Sequence, residues 1–249
     1  MHKRVLVTTY AALLGLAVIA WIVVVRSPMD EDMAGMQMAM APTIADGAGY
    51  VGAWAVMMAA MMLPSAAPMI ALYATTQRTT GSPGAQAPAV IGFGLMYVML
   101  WAATGVPVYF ASLALMAVGP GTLAYVTAGV LLGAGLFQLS PLKQVCLRSC
   151  RSPLGFLLGH WRAGWHGALA MGWAHAAYCV GCCWALMIVL VVAGAMGLRW
   201  VLLLACVVAA EKLLPGGEWI ARATGVALAL LGLGVAVSPG LAAVLRGAG

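Results

Sequence analysis

Long apolar runs separated by single charges decide what this chain can fold into. No charged residue interrupts Val5 to Val25, and comparable runs recur at 50–75, 89–118, 122–139, 166–196, 200–214 and 219–237. The last three carry nothing beyond Glu211, Lys212 and Arg222 as charges. Lys, Arg, Asp and Glu together make 7% of the 249 residues, against about a quarter in a soluble domain. Mean hydropathy is +1.03. So few charges cannot cover a water-facing surface, so the lipid bilayer is the expected solvent. Within lipid only helices or closed barrels satisfy every backbone group. The runs lack the short alternation of barrel strands, so the fold class is all-α: a polytopic transmembrane helical bundle of about seven spans.

The formal net charge of +6 does not indicate nucleic acid, because the basic residues sit singly between apolar runs, as topology signals do. With the N-terminus inside, Lys3, Arg4, Arg78, Lys143, Arg148, Arg151, Arg162, Lys212 and Arg222 fall on the inner side. Arg26, Arg199 and Arg246 fall outside. This asymmetry predicts a cytoplasmic N-terminus and a periplasmic C-terminus in a bacterial inner membrane.

Three regions are expected: a first transmembrane helix (1–26), a methionine-rich external linker (27–49) and a six-helix membrane core (50–249). The first run is longer than the apolar core of a signal peptide and ends Val-Val-Val-Arg-Ser-Pro, so it reads as a retained helix. Pro64 and Pro68 predict a kinked or broken second helix, and Pro107 lies within the third span. Gly129, Gly133 and Gly135 suit close helix packing in the fourth. Lys212 is expected to snorkel to the interface, and its neighbour Glu211 could relay protons or ions.

Helical spacing puts Met171, His175, Cys179 and Cys182 on one face of the fifth span, with Cys183 beside it. Polar groups inside lipid are costly and tend to face a bundle interior. Imidazole, thiolate and thioether are soft ligands, suited to copper(I), with zinc as the alternative. An isolated buried cysteine is ordinarily a small hydrophobe; three within five residues, one turn after a histidine, are harder to read that way. Cys146 and Cys150 form a C-x3-C pair in a basic loop, a metal or redox site on the inner side or a plain structural loop. Met58, Met62 and Met69 stack along the second span, where core packing competes with a metal path. Met33, Met36, Met38 and Met40 stud the acidic linker, where spaced thioethers would select copper(I) over hard cations.

The chain resembles an uncharacterised bacterial family of predicted metal-binding integral membrane proteins. The resembling stretches are Trp54–Met69, Ser140–Lys143 leading to Cys146–Pro153, Met171–His175 with Tyr178–Trp184, and Glu211–Pro215. The family's Cys and His pattern falls here on His175, Cys179, Cys182, Cys183, Cys146 and Cys150.

The function read from these residues is binding and handling of a soft transition metal, copper(I) first, in transport, delivery or homeostasis. Its partners would be the metal ion and either a periplasmic metal-binding protein or a membrane-complex partner. A membrane thiol–disulfide oxidoreductase using Cys146/Cys150 and Cys179/Cys182 is the alternative, and a non-catalytic subunit the second. No phosphate-binding loop or zinc-protease motif is present, and no catalytic residue is assigned.

Overall fold

A computed structural model describes residues 2–26, 43–80, 84, 86–193 and 197–246. Among them the chain is helical almost throughout. The helices are α1 (His2–Arg26), α2 (Ile44–Thr80), α3 (Gln86–Ala103), α4 (Gly105–Met116), α5 (Pro120–Leu139) and α6 (Pro141–Arg151). They continue with α7 (Pro153–His160), α8 (Gly164–Val192), α9 (Leu198–Leu213), α10 (Gly217–Val237) and α11 (Gly240–Arg246). Among the described residues six helical segments are long and apolar enough to cross a membrane: Lys3–Arg26, Ile44–Gln77, Gln86–Met116, Pro120–Leu139, Gly164–Val192 and Gly217–Val237. The remaining long helix, α9, has 16 residues and so a length of ~24 Å at 1.5 Å per residue, short of a hydrocarbon core of ~30 Å.

Local chemistry explains several boundaries. Ser140 caps α6 by accepting a hydrogen bond from the backbone N–H of Lys143 at 3.2 Å, and Pro141 sits where a missing N–H costs nothing. The third apolar run divides at Thr104 into α3 and α4. Proline clashes with the carbonyl four residues before it, and Pro107 stands four residues after Ala103. The second run behaves differently: α2 is helical without interruption through Pro64 and Pro68. It also begins at Ile44, inside the stretch expected to be linker. The segment 140–165, polar enough to be expected as a loop, is largely helical, folded into α6 and α7.

Helices α2 and α8 form the centre. In each, 67% of the most apolar stretch is buried, against 17% in α1. Helix α8 packs on α3, α5 and α6, α2 on α1, α3 and α9, and α5 on α10. Of the glycines expected to permit close packing, Gly135 does so: a Cβ there would stand 2.7 Å from both the Ala229 nitrogen and the Gly225 oxygen of α10. Gly129 and Gly133 face open space. The periphery carries large apolar side chains, including Leu16, Ile19, Leu136, Trp219 and Val237.

Candidate metal centre

Three cysteines reach the core because α8 is apolar on every side and central. Cys179, Cys182 and Cys183 are all buried. The fourth thiol of the cluster comes from outside α8. Helix α6 packs across it and brings the Cys150 sulfur to 3.8 Å from that of Cys182. Cys182 and Cys183 have their sulfurs 3.3 Å apart, and the Cys182 thiol also donates to the Cys179 carbonyl at 3.2 Å. All six cysteines are free thiols.

The donors suit a soft ion. Two thiolates on one tetrahedral ion, with bonds of ~2.3 Å, lie ~3.8 Å apart, the separation of Cys150 and Cys182. Among the described residues no group of three or more His, Cys, Asp or Glu is already closed around a point that would hold an ion. Binding would therefore reorient thiols that are already neighbours so that they face one point.

The other residues singled out by sequence fall at graded distances from this cluster. Cys146, half-buried on α6, presses its sulfur toward Gly181 of α8, where a Cβ would meet it at 3.1 Å. Burial pushes its thiol pKa up, and the charge of Lys143 partly offsets this. His175 sits one turn before Cys179, and the contacts of its ring are aromatic. It stacks on Tyr97 with centroids 5.6 Å apart and meets Phe156 edge-on at 5.3 Å. Its Nδ1 is buried without a hydrogen-bond partner. Met58, Met62 and Met69 are all buried, and the Met62 sulfur lies 3.7 Å from the Lys212 ammonium. The Met171 sulfur accepts the Arg162 backbone N–H at 3.4 Å. Met33, Met36, Met38 and Met40 lie outside the described residues.

The polar surround of the thiols was largely missed by sequence reasoning. Lys212 does not snorkel: it is buried, and its Nζ donates to the Cys179 sulfur at 2.9 Å and to Ser65 Oγ at 3.4 Å. The Tyr97 hydroxyl stands 3.1 Å from the same sulfur. Lys143 is fully buried, with Nζ donating to Glu211 Oε2 at 2.6 Å and to the Cys182 carbonyl at 2.8 Å. Gln138 donates to the other Glu211 oxygen at 2.8 Å. The Arg151 guanidinium donates to the Glu211 carbonyl, one of the last-turn acceptors that a helix leaves without a partner. The available signal was the rarity of charge: two lysines and a glutamate in or beside apolar runs needed partners, and one another, the thiols and the few polar groups of the core were the candidates.

No curated protein and no solved structure matches this chain. A family model described as copper chaperone, PpoB2, matches residues 51–235, from the start of the second apolar run to the end of the last. With well over half of its length matched, the chain belongs to the PpoB2 copper chaperone family.

Proposed function

We propose that this protein is an integral membrane copper handler that takes copper(I) as cargo on the thiol cluster of Cys150, Cys179, Cys182 and Cys183. One observation carries the reading: free thiols from two separate helices converge on a buried point within an apolar bundle. The family's description as a copper chaperone supports copper over zinc. The apolar periphery supports lipid as the surrounding medium, since exposed side chains such as Leu136 and Val237 would be unfavourable in water.

In this reading the chain has seven spans, with α9 as the short seventh, a cytoplasmic N-terminus and a periplasmic C-terminus. Residues 1–26 anchor the chain, the residues between α1 and α2 form the outer linker, and α2 onward is the core. Met33, Met36, Met38 and Met40 collect copper(I) outside, from or for a periplasmic metal-binding protein. Met58, Met62 and Met69 line the way inward, His175 stands by as a nitrogen donor, and Cys146 flanks the cluster on α6. Thiols lose their protons when they bind the ion, so acid should weaken binding.

Metal analysis of full-length protein, purified in detergent under reducing conditions and loaded with copper(I), tests this. The expected result is stoichiometric copper that Cys182→Ser removes. A Cys179–Cys182 disulfide with no bound metal would overturn it and leave thiol–disulfide exchange as the reading.

A further inference from the structure

We propose that Lys212 is the resident counter-cation of the thiol cluster and tunes it to a monovalent ion. This rests on the thiols being the metal site. Lys212 Nζ lies 2.9 Å from the Cys179 sulfur, with Ser65 Oγ and the Met62 sulfur as its other neighbours. The nearby buried charges cancel each other, because Lys143 and Glu211 pair at 2.6 Å. Among the described residues no carboxylate stands within ion-pair distance of Lys212. It therefore brings one uncancelled positive charge to the cluster, on the sulfur side.

In an apolar interior the net charge of a site governs what it can hold, because uncompensated buried charge is costly. Copper(I) held by two of the four thiols as thiolates, the other two staying protonated, carries one negative charge, and the Lys212 ammonium brings the sum to zero. A divalent ion on the same two thiolates is already neutral, and the ammonium leaves it one positive charge in excess. The lysine thus favours the monovalent ion on a thiolate pair and penalises the divalent one. A neutral side chain at 212 reverses that order. The position also explains why the residue forgoes the interface, which its flexible stem could otherwise seek.

The test compares wild type, Lys212→Gln and Lys212→Arg as full-length reduced protein in detergent. Copper(I) affinity is read by competition with bathocuproine disulfonate, and zinc(II) affinity with a chromophoric chelator. Lys212→Gln should lower copper(I) affinity by about tenfold or more and leave zinc(II) affinity equal or higher, a split that a packing role would not produce. Equal losses for both ions, or no change in either, would overturn the proposal. If Lys212→Gln does not fold, Lys212→Arg decides: it keeps the charge and should hold the wild-type copper-to-zinc preference within about threefold, and a collapse of that preference overturns the proposal. Wild type that binds no copper(I) would instead remove the cargo reading itself, an outcome visible before any variant is compared.

Discussion

Lys143 Nζ and Glu211 Oε2 stand 2.6 Å apart, and neither side chain reaches the molecular surface. The pair joins α6 to the end of α9, while Lys143 also holds the Cys182 carbonyl beside the thiols. Truncating one partner of such a pair leaves a buried charge uncompensated. Glu211→Gln should therefore destabilise the protein by about 3–5 kcal/mol. The double variant Lys143→Met/Glu211→Gln should recover part of that loss. Thermal unfolding of the three proteins in detergent checks both statements, and a double variant no better than the single would argue against charge as the cause.

The approach of Cys150 to Cys182 makes a contrast among cysteines that sequence spacing did not supply. Cys150→Ser should weaken copper(I) binding by about tenfold or more, since a hydroxyl is a poor soft-metal ligand. Cys206 is exposed on α9, away from the buried cluster, and Cys206→Ser should leave binding unchanged. Parallel copper(I) titrations decide this, and equal behaviour of the two variants would remove Cys150 from the ligand set.

Cys146 offers a pH-dependent readout. Burial raises its pKa despite the opposing charge of Lys143. A raised thiol pKa means less thiolate at any pH below it, and the thiolate is the reactive form. Alkylation of Cys146 should therefore be slow at neutral pH, with its rise displaced above the ordinary thiol range. Iodoacetamide labelling read by peptide mass across a pH series measures this directly. Fast labelling at neutral pH would contradict the burial seen here.

Close packing between α5 and α10 depends on Gly135, where a Cβ would meet α10 backbone at 2.7 Å. Gly135→Ala should cost about 1–3 kcal/mol through overpacking. Gly129→Ala, into open space, should be neutral or slightly stabilising, since alanine is the better helix former. Melting temperatures of the two variants in detergent provide the comparison.

Topology is tested by reporter fusions within residues 27–42 and after Gly249. Seven spans with the N-terminus inside predict that both report from the outer side. A C-terminal reporter found inside would mean an even number of spans, with α9, at 16 residues, the first candidate for removal.

What the sequence by itself determined is local or averaged along the chain. Apolar runs too long and too poor in charge for a water-facing surface call for helices, because away from water only helices or closed barrels satisfy the backbone and these runs lack the alternation of barrel strands. The 3.6-residue period fixed the common face of His175, Cys179 and Cys182 before any packing was known. Neighbourhood between helices is different. The runs resemble one another in hydropathy, so nothing in their composition says which will touch. Only the tertiary structure decided that Cys150 meets Cys182 across 32 residues of sequence and that Lys143 finds Glu211 across 68. It likewise placed Gly135 against α10 while Gly129 and Gly133 face open space. The fate of Lys212 follows the same logic. A lysine at the end of an apolar helix snorkels when water is its best partner. Here Cys179, carried on α8, and Ser65, carried on α2, were brought within its reach by packing that no local pattern encodes.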